Sequence, residues 1–173
     1  MGESSKNYEG LYKRTFLERE LTTLPIVETE FESDNKSPEV HLTDGELQWG
    51  DTDYIEIVGV STCIPIVVTD KETQEVIVAL HADGNWTPNR FKELLLEAQK
   101  KSDNLQINYL ERVSADPAIS DMFDRADRSA QLGWLDYSTE KYGEPKGIKV
   151  EAKDMVGHFA YTKGIGFQEL VVK

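Results

Sequence analysis

The chain has 173 residues, 32 of them acidic and 19 basic, which gives a formal net charge of −13. A chain of this length falls in the single-domain range and can bury a hydrophobic core without disulfides or metal ions. The negative charge repels nucleic acid phosphates and anionic lipid surfaces. We therefore expect no nucleic acid and no membrane as a partner. The charge would suit a protein partner with a basic surface, but solubility alone is the simpler explanation of it.

The ends and compartment of the protein are predicted from polarity and cysteine content. The one cysteine, Cys63, cannot form an internal disulfide, and no stretch is apolar for the length of a membrane span. Residues 1–35 lack the basic opening and apolar centre of a secretory leader. We expect a cytoplasmic protein, or one delivered by a route without a classical signal peptide. Residues 1–35 are expected to form an arm packed on or trailing the body, and residues 36–173 a single α+β domain.

The first half of the body is predicted to be rich in strands. Residues 39–49 contain Asp44-Gly45, a strong turn dipeptide, between two strand-like runs, which predicts a hairpin. Residues 54–69 (YIEIVGVSTCIPIVVT) are dense in β-branched side chains and interrupted by Gly59, which predicts two strands or one bent strand. Residues 76–81 follow a polar turn and complete a hairpin that is apolar on both faces. Such a hairpin is expected in the middle of a sheet that is covered on both sides.

Two helices are predicted in the second half. Over residues 87–101, Thr87 can cap the helix and Pro88 can occupy its first turn. Residues 104–113 alternate as a strand does, and Asp116-Pro117 then begins the second helix. The first helix has an apolar stripe that should pack on the sheet, formed by Phe91, Leu94, Leu95 and Ala98. The second helix also has an apolar face, formed by Ile119, Met122, Phe123 and Ala126.

The end of the chain predicts closing strands, over GIKVEA and HFAYTKGIGFQELVVK, with a turn at Lys163-Gly164. Strands, then helices, then strands favour an α+β or mixed α/β layered domain over a doubly wound sheet.

Acidic residues form a stripe on the second helix (Asp121, Asp124 and Asp127). We interpret it as a solvated face, since calcium ligands normally come from a looping backbone. Dinucleotide, P-loop and zinc-protease motifs are missing from the sequence. No metal and no cofactor is expected.

The pattern that points to chemistry lies in the central hairpin. Cys63 and His81 are equidistant in sequence from Glu72, in the middle of the polar turn, so a symmetric hairpin places them opposite each other. An imidazole there can take the thiol proton, or as imidazolium lower the thiol pKa, and so supply a nucleophilic thiolate. This predicts an accessible Cys63 with a depressed pKa. The competing interpretation is that a lone cysteine is a small buried hydrophobe.

The segment of residues 45–85, GELQWGDTDYIEIVGVSTCIPIVVTDKETQEVIVALHADGN, resembles the core of the bacterial chemoreceptor glutamine deamidases. Its pattern is glycine, small residue, cysteine, apolar strand, Asp-containing turn and Ala-x-His. The distant cytotoxic necrotizing factor toxins share that catalytic fold. The resemblance implies a β-sandwich-like core flanked by helices, Cys63 as the nucleophile, His81 as the general base, and a protein glutamine as the substrate.

The chain also departs from that family. The hydroxyl residue that the family carries six positions before the cysteine falls on Ile57, and the glycine-rich segment after the first helix has no counterpart. The third member of a catalytic triad is therefore open. Hydroxyl candidates are Thr52, Ser61 and Thr62, and candidates to orient His81 are Asp83 and Asn85. His41 and His158 have no partner pattern and are interpreted as structural or surface residues.

Two other functions compete with deamidation. A non-catalytic binding or adaptor module could keep the fold and hold a partner through its acidic surface, which the missing hydroxyl and glycine-rich segment favour. A cysteine peptidase or peptidoglycan amidase is the second alternative. The nucleophile of such an enzyme normally begins a helix, whereas the mostly β-branched residues 64–68 after Cys63 predict a strand.

Overall fold

The computed structural model describes residues 21–29, 41–42, 47–50, 52–83, 86–125 and 140–172. The strands are β1 (Ile26–Thr29), β2 (His41–Leu42), β3 (Leu47–Trp49), β4 (Tyr54–Val60), β5 (Ile64–Asp70), β6 (Val76–Ala82), β7 (Leu105–Val113), β8 (Lys146–Glu151), β9 (Gly157–Thr162) and β10 (Gly166–Val172). The longer helices are α1 (Pro88–Gln99) and α2 (Pro117–Arg125).

These strands form two five-stranded sheets. The first sheet has the order β3-β6-β5-β7-β8, and the second has the order β1-β10-β9-β4-β2. Most neighbours are antiparallel, but β1 with β10, β2 with β4 and β7 with β8 are parallel pairs. Apolar side chains of both sheets form one cluster between them, among them Ile57, Val67, Leu110 and Phe159. The fold is therefore α+β, with a sandwich-like core of mixed, largely antiparallel sheets, as the sequence predicts.

Helix α1 covers the outer face of the first sheet and confirms the predicted packing. Thr87 accepts a hydrogen bond from the main-chain N–H of Arg90 at 3.1 Å, and Pro88 lies in the first turn. The predicted stripe is buried with side chains of β5 and β6: Phe91, Leu94, Leu95 and Ala98. Because the other face of the same strands meets the second sheet, the central hairpin is apolar on both faces.

Helix α2 begins at Pro117, as predicted, and Ile119 and Phe123 are buried beside Ala152, in the connection between β8 and β9. Asp116 caps it, since its carboxylate accepts from the N–H of Ala118 at 2.9 Å. Ala126 and Asp127 lie outside the described residues, as does the side chain of Asp124. In the part of the chain that the structure covers, no helix combines the length and apolar character needed to cross a bilayer.

The predicted hairpin over residues 39–49 is wrong, because its two runs belong to different sheets. Strand β2 pairs with β4, whereas β3 pairs with β6 and places Leu47 opposite Leu80. A turn dipeptide reverses the chain locally, but it does not decide whether the flanking strands pair with each other or with distant ones. Here the edge of the central hairpin is the partner that β3 takes.

Residues 54–69 form two strands, but the break is not at Gly59. Strand β4 runs through Gly59, which has φ 68° and lies where the pairing with β9 shifts register between Ile57 and Val60. The chain leaves the second sheet after Val60 and enters the first at Ile64. The short connection between these strands, which contains Cys63, therefore passes from one sheet to the other at one end of the sandwich.

Part of the N-terminal arm is packed on the body. Strand β1 forms an edge of the second sheet beside β10, and the N–H of Glu169 donates to the carbonyl oxygen of Pro25 at 2.8 Å. The N–H of Thr22 donates to the carbonyl oxygen of Lys149 on β8 at 2.7 Å. Residues 21–29 thus contact both sheets, and the rest of the arm lies outside the described residues.

Candidate functional site

The central hairpin does not pair Cys63 with His81 directly. His81 lies opposite Pro65, and Ile64 lies opposite Ala82. The sequence expectation is thus wrong by two residues, because the turn is not symmetric. The pairing shifts between Val68 and Thr69, and Gln74 adopts φ 64°, so one strand contributes more residues to the reversal than the other.

An offset of two residues keeps the side chains on the same face, since side chains alternate with a period of two. Cys63 belongs to the apolar cluster between the sheets, as do Val67 and Ala79, which lie directly opposite each other on β5 and β6. His81 follows Ala79 by two positions and so shares this inward face. Continued by one residue beyond the Ile64–Ala82 pair, this register makes Cys63 and His81 diagonal neighbours at the open end of the hairpin. Strand geometry gives such neighbours a separation of about 7–8 Å.

Both residues are more buried than the sequence predicts for a reactive pair. Cys63 is 8% exposed and His81 is 0% exposed. The reason is their position on the inward face, where the second sheet covers them. The expected accessible thiol is not found, because the hairpin places this face inside the sandwich rather than at its surface.

The other candidates divide between the two ends of the sandwich. Ser61 and Thr62 are half-buried in the connection directly before Cys63, and Asp83 is half-buried just after β6. These three share the end that holds Cys63 and His81. Thr52 lies before β4, at the opposite end, where its hydroxyl donates to the carbonyl oxygen of Tyr54 at 2.5 Å. Asn85 lies outside the described residues, and Ile57 is fully buried between the sheets.

Sequence reasoning missed Arg112, on β7, which organises this end. Its side chain is 3% exposed, and Nη1 donates to the carbonyl oxygens of Val60 at 2.8 Å and Ser61 at 3.0 Å. Nη1 also donates to the carbonyl oxygen of Met155 at 3.1 Å, and Nη2 donates to that of Asp154. One buried guanidinium thus joins β7 to the connection that carries Cys63 and to the β8–β9 connection.

These hydrogen bonds fix the direction of two peptide groups. In a trans peptide the C=O and the following N–H point to opposite sides, and the described backbone contains no cis bond. Because Arg112 holds the oxygens of Val60 and Ser61, it turns the N–H groups of Ser61 and Thr62 to the other side of the connection. Neither N–H donates to another residue in the ranges that the structure covers. Two oriented donors are therefore available directly before Cys63.

A cleft of about 600 Å³ lies beside Arg112. The β8–β9 connection forms one wall, where Met155 and Val156 are exposed, and Phe123 of α2 lies with its ring centroid 5.7 Å from the guanidinium carbon. His158 also lines it, and Nδ1 accepts the N–H of Gly59 at 3.0 Å. His158 is thus structural, since it stabilises the irregular backbone of β4.

The described residues contain no group of three or more His, Cys, Asp or Glu side chains arranged to hold a metal ion. No protein-family model matches the chain, and no curated protein matches its sequence. The site consists of a thiol and an imidazole on one face, two N–H groups, and a buried guanidinium that holds the carbonyl oxygens of the same peptide groups.

Proposed function

We propose that the protein is a protein glutamine deamidase in which Cys63 is the nucleophile and His81 is the general base. The observation that carries the proposal is that the side chains of Cys63, directly before β5, and of His81, on β6, lie on one face of the hairpin. They lie at the end where Arg112 orients two N–H groups beside Cys63. The resemblance of residues 45–85 to the chemoreceptor deamidases supports the same roles.

In the proposed reaction His81 accepts the proton of Cys63, and the thiolate attacks the amide carbon of a glutamine side chain. The carbonyl oxygen becomes an oxyanion, which the N–H groups of Ser61 and Thr62 stabilise. The C–N bond breaks as His81 returns its proton to the leaving nitrogen, and ammonia departs. Water then loses a proton to His81 and attacks the thioester, which leaves glutamate and regenerates the thiol.

Burial favours a side-chain amide over a peptide bond as the substrate. With Cys63 only 8% exposed, a thin unbranched group such as the glutamine side chain can reach the thiol more easily than a main chain that carries side chains on both sides. Cys63 also precedes β5 instead of beginning a helix, which separates it from the usual cysteine peptidases and amidases.

The burial of the pair also favours a second candidate function. A thiol in an apolar cluster beside a fully buried imidazole fits a binding or adaptor module that retains the fold without turnover. Such a module would use its acidic surface, with a net charge of −13, to hold a basic partner protein.

Turnover by the Cys63→Ser and His81→Ala variants separates the two candidates. Purified protein is incubated with candidate partner proteins that have basic surfaces, and ammonia release and a mass gain of roughly one dalton on glutamine are measured. Wild type should convert a specific glutamine, and each variant should lose almost all activity, since members of a catalytic unit fail together. Thr52→Ala, at the opposite end of β4, is the control and should retain turnover.

The adaptor function replaces the enzyme if wild type and Cys63→Ser bind the same partner equally well and no glutamine in it is converted. Alkylation of Cys63 in the native state gives an independent measurement. A native thiol that reacts with iodoacetamide at neutral pH fits the enzyme, whereas a thiol that reacts only after unfolding fits the buried hydrophobe.

A further inference from the structure

A second cleft lies at the opposite end of the sandwich from Cys63 and encloses about 450 Å³. Its walls are the β5–β6 turn and the β9–β10 turn, and strand β7 forms its floor. The two turns approach closely, since a Cβ placed on Gly164 would lie 3.4 Å from Oε1 of Gln74. The volume is in the range of small-molecule sites in proteins.

Buried polar groups reach into this cleft from the inward face of the sheets. Asn108 is 9% exposed, and its amide nitrogen donates to the carbonyl oxygen of Val67 at 2.9 Å and to Oγ1 of Thr69 at 3.1 Å. Both amide hydrogens are thereby used, so Oδ1 remains as an acceptor, and no residue that the structure covers donates to it. Tyr161 is 8% exposed and also lines the cleft. Its hydroxyl makes no hydrogen bond within the same ranges.

The charged groups of the cleft favour an anion. Lys71 and Lys146 both line it, and Lys71 uses one of its ammonium hydrogens to reach the carbonyl oxygen of Tyr142 at 3.2 Å. The only carboxylate in the described lining is that of Asp70, and both of its oxygens are engaged. Oδ1 accepts the N–H of Glu72 at 2.8 Å, and Oδ2 accepts the Ser102 hydroxyl at 2.5 Å. The described lining of the cleft thus carries two ammonium groups and one carboxylate, which already accepts hydrogen bonds, although the protein as a whole has a net charge of −13.

The geometry points to a binding site for a small organic anion that also carries a hydroxyl or amide hydrogen. Lys71 and Lys146 would pair with the carboxylate or phosphate of the ligand, and Oδ1 of Asn108 would accept its hydroxyl or N–H. Burial raises the pKa of Tyr161, so its phenol stays protonated and can donate to the same anion. A simple inorganic anion satisfies the lysines alone and leaves the acceptor on Asn108 unused.

The test measures binding of glycerol 3-phosphate and of L-malate, which carry the same combination of anion and hydroxyl on a phosphate ester and on a carboxylate. Backbone amide shifts of Gly164 and Gly166 are followed in the intact chain at constant ionic strength. Saturable shifts with a dissociation constant in the range of about 0.1–10 mM are expected for one of the two. The probe that binds identifies the class of anion, and sodium sulfate should bind at least tenfold more weakly.

The matched variants are Lys71→Gln with Lys146→Gln, and the control Lys92→Gln with Lys100→Gln. Lys92 is exposed on α1, and Lys100 is exposed directly after its last residue. Both remove two positive charges, but only the first should weaken binding, by tenfold or more. Equal weakening in the two variants, or binding of sulfate as tight as that of the organic probes, overturns the site, as does the lack of saturable shifts with either probe. Because the cleft and Cys63 lie at opposite ends of β5, these outcomes are independent of the deamidase assay.

Discussion

Replacement of Arg112 by methionine tests how the end of the sandwich that carries Cys63 is held. Methionine keeps an unbranched stem and removes the guanidinium with its hydrogen bonds to four carbonyl oxygens. Hydrogen bonds to a charged group contribute about 1.5–3 kcal/mol each. Nη1 has two hydrogens for three of the oxygens, so the four contacts together contribute less than four separate bonds would. Removal of the buried charge also removes its desolvation penalty of several kcal/mol. We expect a net loss of about 3–5 kcal/mol in the free energy of unfolding.

Urea unfolding followed by circular dichroism measures this loss. The matched control is Arg90→Met, because Arg90 is exposed and lies over the ring of Trp86, with its guanidinium carbon 3.9 Å from the ring centroid. That contact should contribute about 0.5–1 kcal/mol. If the two variants lose the same free energy, the guanidinium of Arg112 neither holds the connections together nor fixes the direction of the N–H groups of Ser61 and Thr62.

Two further predictions concern packing and pH. Gly147→Ala should destabilise the fold by about 1–3 kcal/mol in urea unfolding, since its Cβ would lie 1.9 Å from Cζ of the buried Tyr109. In the control, Gly50→Ala, the nearest atom to the new Cβ is 3.4 Å away, so the free energy of unfolding should change little. The Ser102 hydroxyl and two turn N–H groups lower the pKa of Asp70 from 3.8 to about 2. Asp70→Asn should therefore be less stable than wild type at pH 6, and urea midpoints should converge as the pH falls towards 2. A gap that stays constant with pH would contradict this.

Elements defined by local patterns were predictable from the sequence. The stripe from Phe91 to Ala98, the cap at Thr87 and the doubly apolar strands around the central turn each follow from a few neighbouring residues, and the structure confirms them. The partners of β2 and β3 were not predictable in this way. Their pairing depends on strands that lie far along the chain, and a turn at Asp44-Gly45 carries no information about them.

The candidate site was predictable in part, because the direction of a side chain along a strand is a local property. Cys63 and His81 share a face because an even offset in register preserves the side-chain direction, so an error of two residues does not separate them. The apolar faces of the hairpin predicted a sheet covered on both sides, but they did not show that the cover extends to Cys63 at the end of the hairpin, since this depends on how the second sheet packs. Arg112 was missed because its partners are main-chain oxygens in two connections that only the tertiary fold brings together. Its sole local signal is a charge on the inward face of β7, two positions after Leu110.

The position of Arg112 links the burial of the thiol to the orientation of the N–H groups. Arg112 lies on the inward face of β7 and holds the carbonyl oxygens of Val60 and Ser61. The same side chain therefore orients the N–H groups of Ser61 and Thr62 and holds the connection that contains Cys63 against the two sheets. Arg112→Lys keeps the charge but provides one ammonium for two connections. Cys63 should then become more reactive towards iodoacetamide while kcat for deamidation falls about a hundredfold at unchanged KM. An adaptor would show the first change alone, because its partner binding does not depend on the direction of these N–H groups.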